Sequence, residues 1–374
     1  VDDDGPADFH TIQEAINAAN PGDTIFVRNG TFYERAVVNK TVSLFGENEE
    51  TAVVDGGGVG NVIEVTTDNV IITGLTIRNS GDQWTDSGIA LNQVKNCTIF
   101  KNNITENRGH GIRLYSSSRN RIINNSITAN NWGGIWISTS ADHNSVSGNN
   151  VTWNGRGGIW LDSSSNNSVT GNNIANNEDG MILCCPSNNS IIGNNIISNH
   201  HDGIRLYYSA NNSIFHNNFV DNQQHVSTFM SYGNLWNDGY PSGGNYWSNY
   251  TGIDEKNGLN QDQLGSDGIG DTPHIIEANN TDNYPLMGLF SDFNATPEWH
   301  IQTICNSTIS DFQFNGTAIC FNVTGEDGTT GFCRICIPTS LMNGTYKVFV
   351  NGIEAPQTIL SCSNMTHILS LIHI

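Results

Sequence analysis

Apolar and polar positions alternate along residues 88–222 in registers that return about every 23 residues. A Gly-apolar-x-apolar element occurs six times, as Gly88-Ile89-Ala90-Leu91, Gly111-Ile112-Arg113-Leu114, Gly134-Ile135-Trp136-Ile137, Gly158-Ile159-Trp160-Leu161, Gly180-Met181-Ile182-Leu183 and Gly203-Ile204-Arg205-Leu206, at steps of 23, 23, 24, 22 and 23 residues. Two asparagine columns keep that register: Asn102, Asn125, Asn149, Asn172, Asn194 and Asn217, then Asn107, Asn130, Asn154, Asn177, Asn199 and Asn222. The period is too short for helical-pair repeats or propeller blades, and the leucine-rich frame is absent. Period-two alternation puts Ile112 and Leu114 on one face of a strand and Arg113 on the other. Stacking equivalent residues coil upon coil is the property of a parallel β-solenoid. Ile99, Ile122, Val146, Val169, Ile191 and Ile214 supply an inward column. The asparagines satisfy one another along their columns and tolerate the left-handed backbone of the turns. The fold class read from this pattern is all-β: a right-handed parallel β-helix with a helical cap and a small β-sandwich.

The flanks divide the chain further. Phe9 to Ala19 reads as an amphipathic helix, with Ile12, Ala15, Ile16 and Ala19 on one face and a Thr11/Glu14 capping box. Laid across the first coil, it hides the apolar end of the solenoid. The expected organisation is a cap at 1–23, the β-helix at 24–222, a turn-rich C-terminal part of the β-helix region at 223–290, a linker at 291–299 and an Ig-like β-sandwich at 300–374. The last strand, Ile368 to Ile374, is apolar, and a free apolar strand invites pairing with another chain. A head-to-tail polymer of copies of the chain, held through residues 300–374, is the assembly this predicts.

The opening Phe9-His10-Thr11-Ile12-Gln13-Glu14-Ala15-Ile16, the Gly-Ile-x-Leu coils, the box Tyr240-Pro241-Ser242-Gly243-Gly244-Asn245-Tyr246-Trp247 and the segment Asp267-Gly268-Ile269-Gly270-Asp271-Thr272-Pro273 resemble NosD-like right-handed β-helix surface proteins exported by methanogenic archaea. The similarity runs over about residues 1–290. It implies export to the cell surface and an association with copper or with carbohydrate.

The net charge of −21, with 15 Lys+Arg, argues against nucleic acid, which needs a basic footprint. No apolar run is long enough to span a membrane. Asn-x-Ser/Thr acceptors stand at Asn29, Asn39, Asn96, Asn103, Asn124, Asn150, Asn166, Asn188, Asn211, Asn249, Asn279, Asn294, Asn306, Asn315, Asn322, Asn343 and Asn364. An Asn- and Ser-rich turn composition makes such triplets by chance, but those after Asn294 lie outside the array and fit an extracellular glycoprotein. Eight cysteines show no obvious disulfide framework.

Three constellations could carry chemistry. The outward column Ala90, Arg113, Trp136, Trp160, Ile182, Arg205 places two indoles one coil apart, as a binding surface for glycans or as a packing ladder. Asp179 and Asp202 stand on consecutive coils, a glycosidase-like carboxylate pair with Arg205 as the nearby candidate lyase base, or acidic residues at solvated turns. Asp262, Asp267 and Asp271, interleaved with glycines, suggest calcium without matching an EF-hand. Copper would rest on His200, His201, His216 and His225. The leading reading is a non-enzymatic, self-assembling, glycosylated structural protein of the cell surface that needs no cofactor. A polysaccharide lyase or hydrolase and a carbohydrate-binding surface protein are the alternatives.

Overall fold

The computed structural model describes residues 1–277, 279–325, 330–361 and 364–373, with all their side chains except those of Thr330, Ser361, Leu371, Ile372 and His373. The chain divides into two compact units, Val1–Ser213 with Phe219–Asn234 and Ile214–Asn218 with Leu235–Ile374. In the first unit the chain visits three parallel sheets in turn, one strand per sheet per coil. Strands Thr98–Phe100, Asn103–Thr105 and His110–Tyr115 make one coil, and Arg121–Ile123, Ser126–Thr128 and Ile135–Ser138 the next.

The predicted columns are observed. Ile99 pairs with Ile122 and Ile122 with Val146 in the first sheet, Ile104 with Ile127 in the second, and Ile112 with Ile135 in the third. All are fully buried. Removing this stacked apolar surface from water is the main force holding the coils. The glycines have a packing reason: a Cβ at Gly134 would lie 2.6 Å from the Gly158 carbonyl oxygen and 2.5 Å from Val151 Cγ1. Backbones of successive coils pass too close there for any side chain.

The asparagine columns are buried amide ladders. Asn149 Oδ1 accepts from Asn125 N–H at 2.9 Å and from Asn125 Nδ2 at 3.0 Å, while Asn149 Nδ2 donates to Ile122 O at 2.8 Å. The expectation that these asparagines take the left-handed turn conformation is corrected. The residue before each takes it, Asn124 (φ 53°) before Asn125 and Gly148 (φ 64°) before Asn149. A third ladder, Asn120, Asn144, Asn167, Asn189, Asn212 and Asn234, runs beside the two predicted ones; Asn144 N–H reaches Asn167 Oδ1 at 2.8 Å.

The cap is an α-helix at Ile12–Ala18 with Thr11 as its N-cap, accepting from Glu14 N–H at 3.1 Å. It is shorter than predicted because Thr11 and Ala19 are both extended. Glu34 accepts from Ile12 and Gln13 N–H, satisfying first-turn donors that the helix itself cannot. Ile12, Ala15 and Ile16 are buried. Among the described residues no helix is long and apolar enough to cross a membrane.

The second unit is built differently. Asp282, fully buried, accepts from Asn245 N–H at 2.7 Å, Trp247 Nε1 at 3.0 Å and Tyr284 N–H at 3.1 Å. The Tyr-Pro-Ser-Gly-Gly-Asn-Tyr-Trp box is therefore a structural knot. Its Gly244 has to be glycine, since a Cβ would meet the Asp282 carboxylate at 1.9 Å. A five-stranded antiparallel sheet follows in the order Leu289–Asn294, His300–Cys305, Thr330–Pro338, Met365–His373, Gln357–Ser361, with two-stranded sheets beside it.

Two expectations are corrected here. Residues 291–299 are no linker: Leu289–Asn294 pairs in register with His300–Cys305 as a hairpin. Nor is the apolar C-terminal strand free, since Met365–His373 pairs with Thr330–Pro338 on one side and Gln357–Ser361 on the other. It already has the partners that a neighbouring chain would have supplied. Cys305 lies directly opposite Cys333, whereas Cys362 and Ile374 lie outside the described residues.

Candidate functional site

The third sheet of the first unit carries the outward column expected from alternation. Ala90, Arg113, Trp136, Trp160, Ile182, Arg205 and Ser227 stand in register on successive strands. Trp136 and Trp160 stack with centroids 5.5 Å apart and planes at 29°. Trp136 is only 4% exposed, because Trp84 covers it at 5.2 Å and is itself 58% exposed. The buried indole is the ladder, and Trp84 is the surface. Sequence reasoning missed Trp84, which sits in the connection between strands Thr76–Arg78 and Ser87–Asn92 and outside any alternating pattern.

Trp84, Thr85, Asn92, Gln93, Arg113, Tyr115, Trp136, Ser138, Thr139 and Asp162 line a cleft of about 560 Å³. Arg113 Nη2 donates to Asn92 Oδ1 at 3.0 Å, Asn92 Nδ2 donates to Glu64 Oε1 at 2.6 Å, and the guanidinium lies 5.7 Å from the Tyr115 ring centroid. Arg156 lies over both Trp132 and Trp160, at 5.5 and 5.4 Å. Burial pulls the Arg113 guanidinium below its ordinary value, against the opposing Glu64 and Asp86 carboxylates. Arg113 Nε, Trp136 Nε1 and Trp160 Nε1 are buried donors without a protein acceptor.

His110, on the strand that carries Arg113, packs on Trp136 at 4.9 Å. Its Nδ1 accepts from Gly133 N–H at 3.1 Å, which places the ring proton of the neutral form on Nε2. Burial first, then the Arg113 cation, pushes its pKa down to about 4.

The carboxylate pair lies on later coils of the same sheet. Arg205 Nη2 bonds Asp179 Oδ1 at 3.0 Å and Arg205 Nε bonds Asp202 Oδ2 at 2.8 Å. Asp179 Oδ1 also accepts from Asp202 N–H at 3.1 Å, and Asp202 Oδ2 from Ser227 Oγ at 2.6 Å. Burial raises the Asp179 pKa, opposed by the Asp202 N–H and Arg205. Burial pulls the Arg205 pKa down, but its hydrogen bond to Asp202 and the nearby carboxylates outweigh this and raise it. A guanidinium held more firmly charged is a poorer base, and a general acid or base needs a carboxyl free to meet substrate. This arrangement is a closed ion cluster.

The expected metal sets are not brought together. Asp267 accepts from Gln261 Nε2 and Ile269 N–H, and Asp271 from Glu255 and Lys256 N–H, so both carboxylates are engaged within their own loops. Among the described residues the one group of three or more metal-ligating side chains within reach of one another is Asp2, Asp3 and Asp4, which includes neither the expected calcium aspartates nor the histidines considered for copper. His216 stacks on Phe290 and His200 packs against Trp153. Of the acceptor asparagines, Asn96, Asn124, Asn166, Asn188 and Asn211 are exposed at left-handed turn positions.

A family model described as "Right handed beta helix region" matches residues 49–152 and 87–240, together just over half of the chain. No curated protein matches it. Among solved structures, the A-module of mannuronan C-5 epimerase AlgE4 from Azotobacter vinelandii is 17% identical, covering 63% of this chain and 87% of its own, with a TM-score of 0.46. Pectate lyase Pel9A is 15% identical, covering 61% and 74%, with a TM-score of 0.49. The Dettilon tailspike protein is 14% identical, covering 96% and 89%, with a TM-score of 0.43.

Proposed function

The chain belongs to the right-handed β-helix family, and from that premise we propose that it is a non-enzymatic, exported protein that binds carbohydrate through the Trp84 cleft. The observation that carries this reading is the exposed Trp84 indole, seated on the buried Trp136, which in turn stacks on the half-buried Trp160, with Tyr115 lining the same cleft. An aromatic face held rigid from behind loses little entropy when the apolar face of a pyranose settles on it. Asn92, Gln93, Thr139 and Asp162 around the rim offer donors and acceptors to sugar hydroxyls. The exposed acceptor asparagines support an extracellular location. The engagement of Asp179 and Asp202 by Arg205 supports binding without turnover.

A glycan array followed by calorimetric titration of the ligands it finds tests this. Trp84→Ala is expected to weaken binding by about tenfold or more, the loss of one stacking platform, with an unchanged far-ultraviolet spectrum. Asp179→Asn with Asp202→Asn is expected to leave binding unchanged. Failure of the whole array to bind would overturn the reading, and release of reducing or unsaturated ends from a polysaccharide would replace it with the lyase or hydrolase alternative.

A further inference from the structure

Cys184 and Cys185, where strand Asp179–Cys184 runs into its turn, have no part in the sugar cleft. In three successive coils the last strand residue and the one after it touch each other on the outer surface. Ser163 Oγ donates to Asp162 Oδ1 at 3.1 Å, the Cys184 and Cys185 sulfurs lie 3.8 Å apart, and the Tyr207 and Tyr208 rings meet edge-on at 4.6 Å. The cause is the left-handed turn residue, with φ of 51°, 60° and 49° at Ser163, Cys185 and Tyr208. It swings the second side chain beside the first, where a continuing strand would send it to the opposite face. The peptide between the two cysteines is held on both sides: Ser163 N–H donates to Cys184 O at 2.9 Å and Cys185 N–H to Tyr207 O at 2.8 Å. Cys184 is half-buried, Cys185 is exposed, and both are free thiols.

We propose that Cys184 and Cys185 form a bidentate dithiolate site for a thiophilic divalent ion of the zinc and cadmium class. Two metal–thiolate bonds of about 2.3 Å at the tetrahedral angle put their sulfurs about 3.8 Å apart, the separation the turn already imposes. A disulfide is poorly served by the same geometry. Its Cα atoms usually stand about 4.4–6.8 Å apart, against about 3.8 Å for neighbours in sequence. Closing one would twist a peptide whose N–H and C=O are both in the ladder. On binding, each thiol gives its proton to solvent and each sulfur donates a lone pair to the ion, with no electron transfer. The remaining coordination positions face solvent. The site is independent of sugar binding at Trp84.

The test is titration of Cd²⁺ into the reduced 374-residue chain, read by the ultraviolet thiolate-to-cadmium charge-transfer absorption, with Zn²⁺ as competitor. Serine already fills both positions in neighbouring coils, Ser138 in the Cys184 column and Ser163 at the turn position of Cys185. Cys184→Ser and Cys185→Ser are therefore expected to fold, as circular dichroism would check. Each is expected to raise the half-saturating Cd²⁺ concentration of one site by about a hundredfold, since one thiolate is lost from a two-thiolate set. Zn²⁺ is expected to displace the band. The proposal is overturned by an absent band, by a band that persists in the double variant, or by a Cys184–Cys185 disulfide in the purified protein by mass spectrometry.

Discussion

His110 shows how one residue ties the cleft to its coil. The ring accepts from Gly133 N–H and packs on Trp136, so it is neutral by construction, and its pKa falls from 6.5 to about 4. In the unfolded chain the imidazole takes a proton near 6.5, while the folded coil resists until about 4. Stability rises with pH wherever the unfolded state holds more protons, so this contribution is lost as pH falls from about 6.5 to 4. At about 1.4 kcal/mol per pH unit the loss reaches up to about 3 kcal/mol. Tryptophan fluorescence followed on acidification is expected to report the loss. His110→Gln, whose side-chain oxygen can still accept from Gly133, should flatten the response. Arg113, Trp136 and Trp160 were legible in the sequence because alternation and a fixed period settle which way a strand residue points. Trp84 was not, because a turn residue has no period, and nothing in the string says which neighbour it folds over. The adjacency of Asp179 and Asp202 was likewise readable, but their closure by Arg205 depends on where one long side chain lies across a coil.

At the level of elements, the coil is specified twice, by apolar columns and by amide ladders. A ladder asparagine such as Asn149 accepts from the coil before it and donates both to a carbonyl of that coil and to the asparagine of the next, so a substitution in mid-ladder strands groups on a neighbour as well as its own. Asn149→Leu leaves the buried Asn125 N–H without its acceptor Asn149 Oδ1, while Asn125 Nδ2 keeps the Ile99 and Ile123 carbonyls. One unmet buried donor costs about 1–3 kcal/mol, to be seen as a lowered midpoint in denaturant with little change in slope. An equally small effect for Asn149→Leu and for the exposed Asn150→Leu would refute the ladder as a source of stability. The period, the inward columns and two of the three ladders could be read because each is a local spacing repeated many times. The third ladder was equally legible, since Asn120, Asn144, Asn167, Asn189 and Asn212 each stand two residues before the inward column Ile122, Val146, Val169, Ile191 and Ile214. The turn assignment failed by one position, because the residue that bends the chain, such as Lys101, Asn124 or Gly148, immediately precedes the asparagine that bonds across the bend. The second unit has no repeat, and its knot around Asp282 joins segments far apart in sequence, which periodicity cannot see.

For the molecule as a whole, charge decides how copies meet. With 36 acidic against 15 basic residues and a net charge of −21, two copies repel at neutral pH, and salt screens that repulsion as the Debye length falls from about 30 Å at 0.01 M to about 8 Å at physiological ionic strength. The strand first suspected of joining copies is internal to its sheet, so deleting residues 300–374 would tear out four of five strands and would not test an interface cleanly. Gln357–Ser361 ends the strand order of that sheet, with Ile359 43% exposed on it. An apolar residue on an edge strand is where unwanted or functional pairing begins, and a lysine there blocks it. Light scattering at low ionic strength and neutral pH is therefore expected to give the 40.7 kDa monomer. Association is expected to grow with added salt and as pH approaches the isoelectric point of about 4.6. Ile359→Lys should suppress that growth if the sheet edge carries it. Polymers already present at low salt and neutral pH would mean that a contact strong enough to overcome the charge exists, and their survival in Ile359→Lys would place it away from this edge.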